Sequence, residues 1–218
     1  MPSELDRLAA ELPAEEWLPV GLLLFVLGGT YALVSDRLTV GPPWLLLIVI
    51  ALTFVGSRFL HVRGLERQRR LTAVALSSVV TLAIAISAVF LVLALLSGSM
   101  PGSDLLRAGV LLWVSNVFSF TLWYWEVDGG GPVHRRKSPY SSTDFAFPQK
   151  ILDDEVAFGH WRPKLADYLF LAFNTSTAFS PTDTMVLGRR AKLLMMLQSL
   201  LSLVTVVVIV GRAVNSLV

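Results

Sequence analysis

The chain has 218 residues, of which 54% are hydrophobic and 16% charged, with a mean hydropathy of +0.65. Soluble domains carry about 25% charged residues, so the composition excludes an ordinary soluble fold. The net charge of +2 argues against a nucleic-acid partner. The absence of cysteine excludes a disulfide scaffold, a thiolate metal site and a cysteine nucleophile. These features predict an all-α, polytopic membrane helix bundle whose first partner is the lipid bilayer. It has five transmembrane helices and one short helix, spanning or re-entrant, before the last.

Residues 1–16 form an acidic N-terminal tail without the basic start and small-residue cleavage site of a secretory signal. Leu5, Leu8, Ala9 and Leu12 suit either a short surface helix or a solvated tail. A four-helix transmembrane region follows over 17–127. Its first apolar run, 17–35, carries no charge in 19 positions and spans roughly 28 Å as a helix, about the thickness of the hydrocarbon core. Trp17 and Tyr31 are expected near its interfaces. The second run, 41–57, opens on Pro42 and Pro43, where the first-turn amides need no intrahelical partner.

The connection from Arg58 to Arg70 carries five arginines and one glutamate. Short cytoplasmic loops collect Lys and Arg, so this connection is placed in the cytoplasm, and the N-terminus with it. A phosphoinositide patch is a second reading of the same charge. The third run, 71–98, contains Ser77, Ser78, Thr81 and Ser87, small polar residues suited to close helix packing. The fourth, about 106–125, holds Ser115 and Asn116 at mid-helix and ends in an expected aromatic belt of Trp123, Tyr124 and Trp125.

Residues 128–164 are a polar connecting segment, rich in Gly, Pro and Ser, in which no membrane helix can be placed. Its second half, with Phe145, Phe147, Ile151, Leu152, Val156, Phe158 and Trp161, is too apolar for a plain linker and is expected to pack against the membrane region. The remainder, 165–218, holds a short helix, a polar loop and a final run at 193–211. If 165–180 crosses, the chain spans six times. If it re-enters, it spans five times, and Arg189, Arg190 and Lys192 stay with the other basic residues.

Neither a zinc-protease pattern, nor a nucleophile elbow, nor a phosphate-cradling glycine loop occurs, so neither an enzyme nor a cofactor or metal is expected. His61, His134 and His160 are widely spaced. Asp153, Asp154 and Glu155 read as a divalent-cation site or, more simply, as a solvated patch. Asn116 and Gln198 are intramembrane polar residues that need partners, in a pathway or as helix-to-helix glue. The most informative stretch runs from Phe173 to Asp183, where hydroxyls and a proline break a helix. Unpaired backbone at membrane depth is tolerated only when buried in protein or lining a wet cavity.

The order Tyr168–Phe173, Thr175-Ser176-Thr177, Asp183 and Arg190–Leu197 resembles the pore helix, filter and inner helix of tetrameric potassium channels, over about 165–214. The resemblance implies a pore formed around Asn174, Thr175, Ser176, Thr177, Ala178, Phe179, Ser180, Pro181, Thr182 and Asp183. Thr175 and Thr177 match the hydroxyls at the filter base, and Asp183 the acidic residue beyond it. Ser180, Pro181 and Thr182 stand where the family's filter has two glycines flanking an aromatic residue, so potassium selectivity is not implied. The whole chain is also similar to a group of uncharacterised bacterial inner-membrane proteins, which implies that membrane as its location.

The functional expectation is a channel-like membrane protein. It would be a homo-oligomer, a tetramer if channel-like, passing a monovalent ion without the usual filter. The alternatives are a non-conducting structural or regulatory membrane protein and a small-solute secondary transporter. The charge reading predicts that a periplasmic reporter fused at residue 65 stays inactive; activity there refutes the orientation.

Overall fold

The computed structural model describes residues 14–137, 144–152, 161–181 and 183–215. Its helices are α1 (Ala14–Ala32), α2 (Trp44–Val62), α3 (Glu66–Ser97), α4 (Gly102–Val127), α5 (Pro132–Lys137), α6 (Pro148–Ile151), α7 (Leu165–Ala178) and α8 (Arg189–Asn215). Strands β1 (Phe145–Ala146) and β2 (Met185–Val186) pair antiparallel, Phe145 opposite Val186. The described residues are therefore all-α apart from one two-residue ladder. Four helices, α2, α3, α4 and α8, are long and apolar enough to cross a membrane, and the apolar part of α1, Trp17–Ala32, is shorter.

The first apolar run, expected over 17–35, is helical over a shorter stretch. Its helix ends at Ala32, and the chain turns through a single 3-10 turn at Asp36–Leu38 whose Leu38 is buried. The arginine-rich connection is also shorter than its charge suggests. α2 continues to Val62 and α3 starts at Glu66, so Gly64, in the left-handed region at φ +70°, makes the corner. The long, unbranched arginines are good helix formers, which is why charge alone does not mark the helix ends.

Side-chain contacts fix the directions of the helices. Arg58, near the end of α2, stacks on Trp17 near the start of α1, and Arg69 at the start of α3 meets Glu126 at the end of α4. Tyr31 near the end of α1 bonds Ser87, in the second half of α3. Adjacent helices in α1–α4 therefore alternate in direction. Their shared core joins Leu27, Ile50, Val80, Ile84, Leu91 and Leu112. A second core joins α4 to α7, α8 and β1 through Phe120, Tyr124, Phe145, Tyr168, Leu171 and Met195. α4 belongs to both, and 61% of its apolar window is buried, against 11% for α2.

α8 runs antiparallel to α4 along its length. Arg190 sits near the end of α4 through Asp144 and Asp128, Ile209 packs at Gly109, and the Arg212 guanidinium lies against Gly102 at the start of α4. α7 is half as long. It begins beside the end of α4, where Tyr168 bonds Asp128, and reaches Trp113 by Ser176. β2 (Met185–Val186) then lies back against β1, which is itself held at Asp128. The start of α7 and the start of α8 thus lie at the same end of the bundle.

The polar segment packs as expected where it is described: Phe145 and Phe147 are buried and Trp161 lies against Phe147, although Ile151 and Leu152 are exposed. Val156 and Phe158 fall outside the described residues, as does the expected N-terminal surface helix. Two aromatic expectations are corrected. Tyr124 and Trp125 face inward, packed on Phe145 and Tyr168, because the folded-back segment covers that end of α4. Tyr31 is buried by its bond to Ser87.

A Cβ at Gly109 would stand 2.8 Å from Ile209 Cγ1, whereas one at Gly29 meets nothing within 4 Å. Gly109→Ala is therefore expected to lower stability by about 1–3 kcal/mol, measured by thermal unfolding in detergent, while Gly29→Ala leaves it unchanged or higher.

Candidate functional site

A glutamine inside an apolar helix carries two donors and an acceptor that hydrocarbon cannot satisfy. Gln198, fully buried on α8, meets all of these needs within the protein. Its Nε2 donates to the Ala172 carbonyl at 2.7 Å and to Ser176 Oγ at 2.8 Å. Its Oε1 accepts from the Tyr124 hydroxyl. Its backbone carbonyl accepts from Asn116 Nδ2 at 3.2 Å. Three helices, α4, α7 and α8, are tied at one residue.

One turn along α8, Ser202 Oγ donates to the Ser176 carbonyl at 2.6 Å and accepts from Trp113 Nε1 at 3.0 Å. The Ser176 carbonyl is among the last four of α7, which have no partner inside the helix. Ser202 and Trp113 supply that partner, so α7 can end at mid-bundle. The chain leaves it at Phe179, a non-glycine residue in the left-handed region at φ 55°.

A second cluster fastens the end of the bundle. Asp128 Oδ1 accepts from the Asp144 and Phe145 amides at 2.8 and 3.2 Å, and Oδ2 from the Tyr168 hydroxyl at 2.5 Å. Arg135 donates to the Trp125 and Asp128 carbonyls at 2.7 and 2.5 Å and stacks over the Trp125 and Tyr168 rings. Asp144 forms a two-pronged pair with Arg190, at 2.9 and 3.2 Å. On the far side of α4, Arg69 bridges Glu66 and Glu126 at 2.8 and 3.2 Å, and His61 meets Glu66 at 2.5 Å.

The residues expected to line a pore divide between two faces. Thr175 and Ser176 point inward and are buried, Thr175 bonding the Leu171 carbonyl at 2.8 Å. Asn174 is half-buried, and Thr177, Ala178, Phe179 and Ser180 are exposed. Asn174 and Thr177 bond back to the Phe170 and Phe173 carbonyls of their own helix, each at 2.9 Å. Pro181 is half-buried and Asp183 exposed, while Thr182 lies outside the described residues. An open groove of about 860 Å³ flanks the break, lined mainly by apolar groups including Phe179, Pro181, Val186, Met195 and Leu200.

Asn116 and Gln198 do meet, but Asn116 Oδ1 is left without a bonding partner among the described residues. Among those residues, no three His, Asp or Glu side chains gather to hold a metal. Asp153, Asp154, Glu155 and His160 lie outside them. Sequence reasoning did not mark Trp113, Ser202, Asp128, Arg135 or Asp144, and it gave Tyr124 only an interfacial place and Tyr168 only one in a pore helix. One signal was legible: Gln198 and Ser202 are four residues apart, on one helix face.

Gln198→Leu strips partners from Tyr124 and Ser176 together. It is expected to destabilise the protein by about 1–3 kcal/mol for each buried group left unbonded, whereas Thr177→Ala shifts it by less than about 0.5 kcal/mol; thermal unfolding in detergent compares them. The chain matches no protein-family model, no curated protein and no solved structure.

Proposed function

We propose that the chain is a non-conducting integral membrane protein of a bacterial plasma membrane, with a structural or regulatory, non-catalytic role. In this reading α1–α4 and α8 cross the bilayer, and α7 re-enters from the cytoplasmic side. The observation that carries it is the closure of Gln198: its polar groups bond inside one protomer, to Tyr124, Ala172, Ser176 and Asn116. The inward side of the break, at Thr175 and Ser176, is held in protein packing, which supports this reading over a wet pathway there.

The outward face of α7 supports the same reading. Phe170 and Phe173 are exposed there, 59% and 47%, beside Asn174 and Thr177, whose side chains bond to their own helix carbonyls. Such self-bonded residues suit a lipid-facing surface. The charge distribution supports the orientation. Arg58, Arg63, Arg67 and Arg70 share the end of the bundle that holds Arg135, Arg190 and Lys192. The opposite end has Arg37, Arg107 and Arg212. Cytoplasmic faces carry the excess of Lys and Arg.

A second reading, the channel-like homo-oligomer, is favoured by the exposure of Thr177, Ser180 and Asp183 on one side of the break. Copies meeting there, a tetramer for a potassium-channel-like pore, would line an axis for a monovalent ion. Ion flux through reconstituted liposomes separates the readings. The non-conducting reading expects flux no greater than in empty liposomes. Flux abolished by Asp183→Asn and Thr177→Ala overturns it in favour of the pore.

The natural absence of cysteine makes the path of α7 directly testable. In intact cells, a membrane-impermeant thiol reagent is expected to label Ser99→Cys and not Asp183→Cys. Labelling of both from outside shows that α7 crosses.

A further inference from the structure

At the arginine-rich end, a cavity of about 520 Å³ opens between the first turns of α3 and the corner joining α4 to α5. Its walls include Arg67, Arg70, Leu71, Val74, Gly130 and His134. Two of its charged neighbours are already engaged. Glu66 is bonded to Arg69 and His61, and Arg69 also holds Glu126. The side chains of Arg67, Arg70 and His134, by contrast, make no hydrogen bond or ion pair with any described residue. Gly130, at φ +86°, lets the chain turn so closely that a Cβ there would stand 3.2 Å from His134 Cγ, and the imidazole is brought to the cavity wall.

We infer that this cavity binds the phosphate of an anionic phospholipid headgroup, held by the Arg67 and Arg70 guanidinium groups with His134 beside them. Guanidinium forks match phosphate oxygens in geometry and charge. Two such groups without protein partners, in a concave wall, leave a cationic site for a ligand to neutralise. A lipid is favoured over a soluble phosphate by what adjoins the arginines. Arg67, Leu71, Val74, Ser78 and Leu82 follow one another at helical spacing along one face of α3. Leu71 and Leu82 are exposed, 60% and 61%. A headgroup on Arg67 therefore places an acyl chain on this apolar stripe. The cytoplasmic leaflet supplies anionic lipid to basic pockets beside membrane helices.

The inference rests on the membrane reading above but not on whether the protein conducts, so a flux measurement and a lipid measurement fail independently. The full chain, purified in mild detergent, is examined by native mass spectrometry with added phosphatidylglycerol or phosphatidylcholine. Retained phosphatidylglycerol is expected on the natural protein, and its apparent affinity is expected to fall about tenfold in Arg67→Gln/Arg70→Gln. Arg107→Gln, at the opposite end, should leave it unchanged. Arg67→Gln alone removes no side-chain hydrogen bond or ion pair with a described residue, so it keeps the test valid if the double variant does not fold; a severalfold loss is expected.

Thermal unfolding in the same detergent gives a second readout. Phosphatidylglycerol should raise the melting temperature of the natural protein and not that of the Gln variants. Equal retention by natural and variant protein, or retention of phosphatidylcholine as readily as phosphatidylglycerol, overturns the proposal. Displacement of the lipid by millimolar glycerol 3-phosphate assigns the cavity to a soluble phosphate and overturns the lipid assignment.

Discussion

The architecture depends on bonding the polar groups of a helix that stops halfway through the bundle. A helix end leaves four carbonyls without partners, and an unpaired amide group in an apolar setting costs several kcal/mol. Here the Ser176 carbonyl is taken by Ser202 and Trp113, and the Ser176 hydroxyl and Ala172 carbonyl by Gln198. The half-length of α7 is therefore a property of α4 and α8 as much as of its own sequence.

Returning the chain to its starting end needs a second anchor, and Asp128 provides it. This one carboxylate receives two backbone amides from the β1 side and the hydroxyl of Tyr168 from α7. It joins the two ends of the folded-back segment to the end of α4. Arg135 bonds the Trp125 carbonyl in the last turn of α4 and the Asp128 carbonyl beyond it, and its place over two aromatic rings keeps its charge in contact with π faces rather than with hydrocarbon. Asp144 then reaches Arg190 at the start of α8. The anchoring is thus continuous from α4 to α8 through residues far apart in the chain.

The residues expected around a pore take two different environments in the fold. Side chains that would face an ion pathway are divided between an inward face, bonded within the protomer, and an outward face bonded to its own backbone. A filter instead needs carbonyls converging from several copies. Among the described residues, Arg67 and Arg70 at the start of α3 are also without an ion pair, and there they adjoin an apolar stripe.

The sequence by itself determined the membrane class, the positions of the long apolar helices and the charge asymmetry, because apolar length and arginine clustering are local properties. It also marked Asn116 and Gln198 as residues in need of partners. Tertiary structure alone decided which partners they found, where α7 ends, and that Tyr124 and Trp125 face inward. Those outcomes depend on contacts between residues far apart in the chain, from Gln198 with Ser176, 22 positions apart, to Trp113 with Ser202, 89 apart. No local hydropathy or spacing encodes such pairings, since hydrogen-bond partners are selected by how whole helices pack.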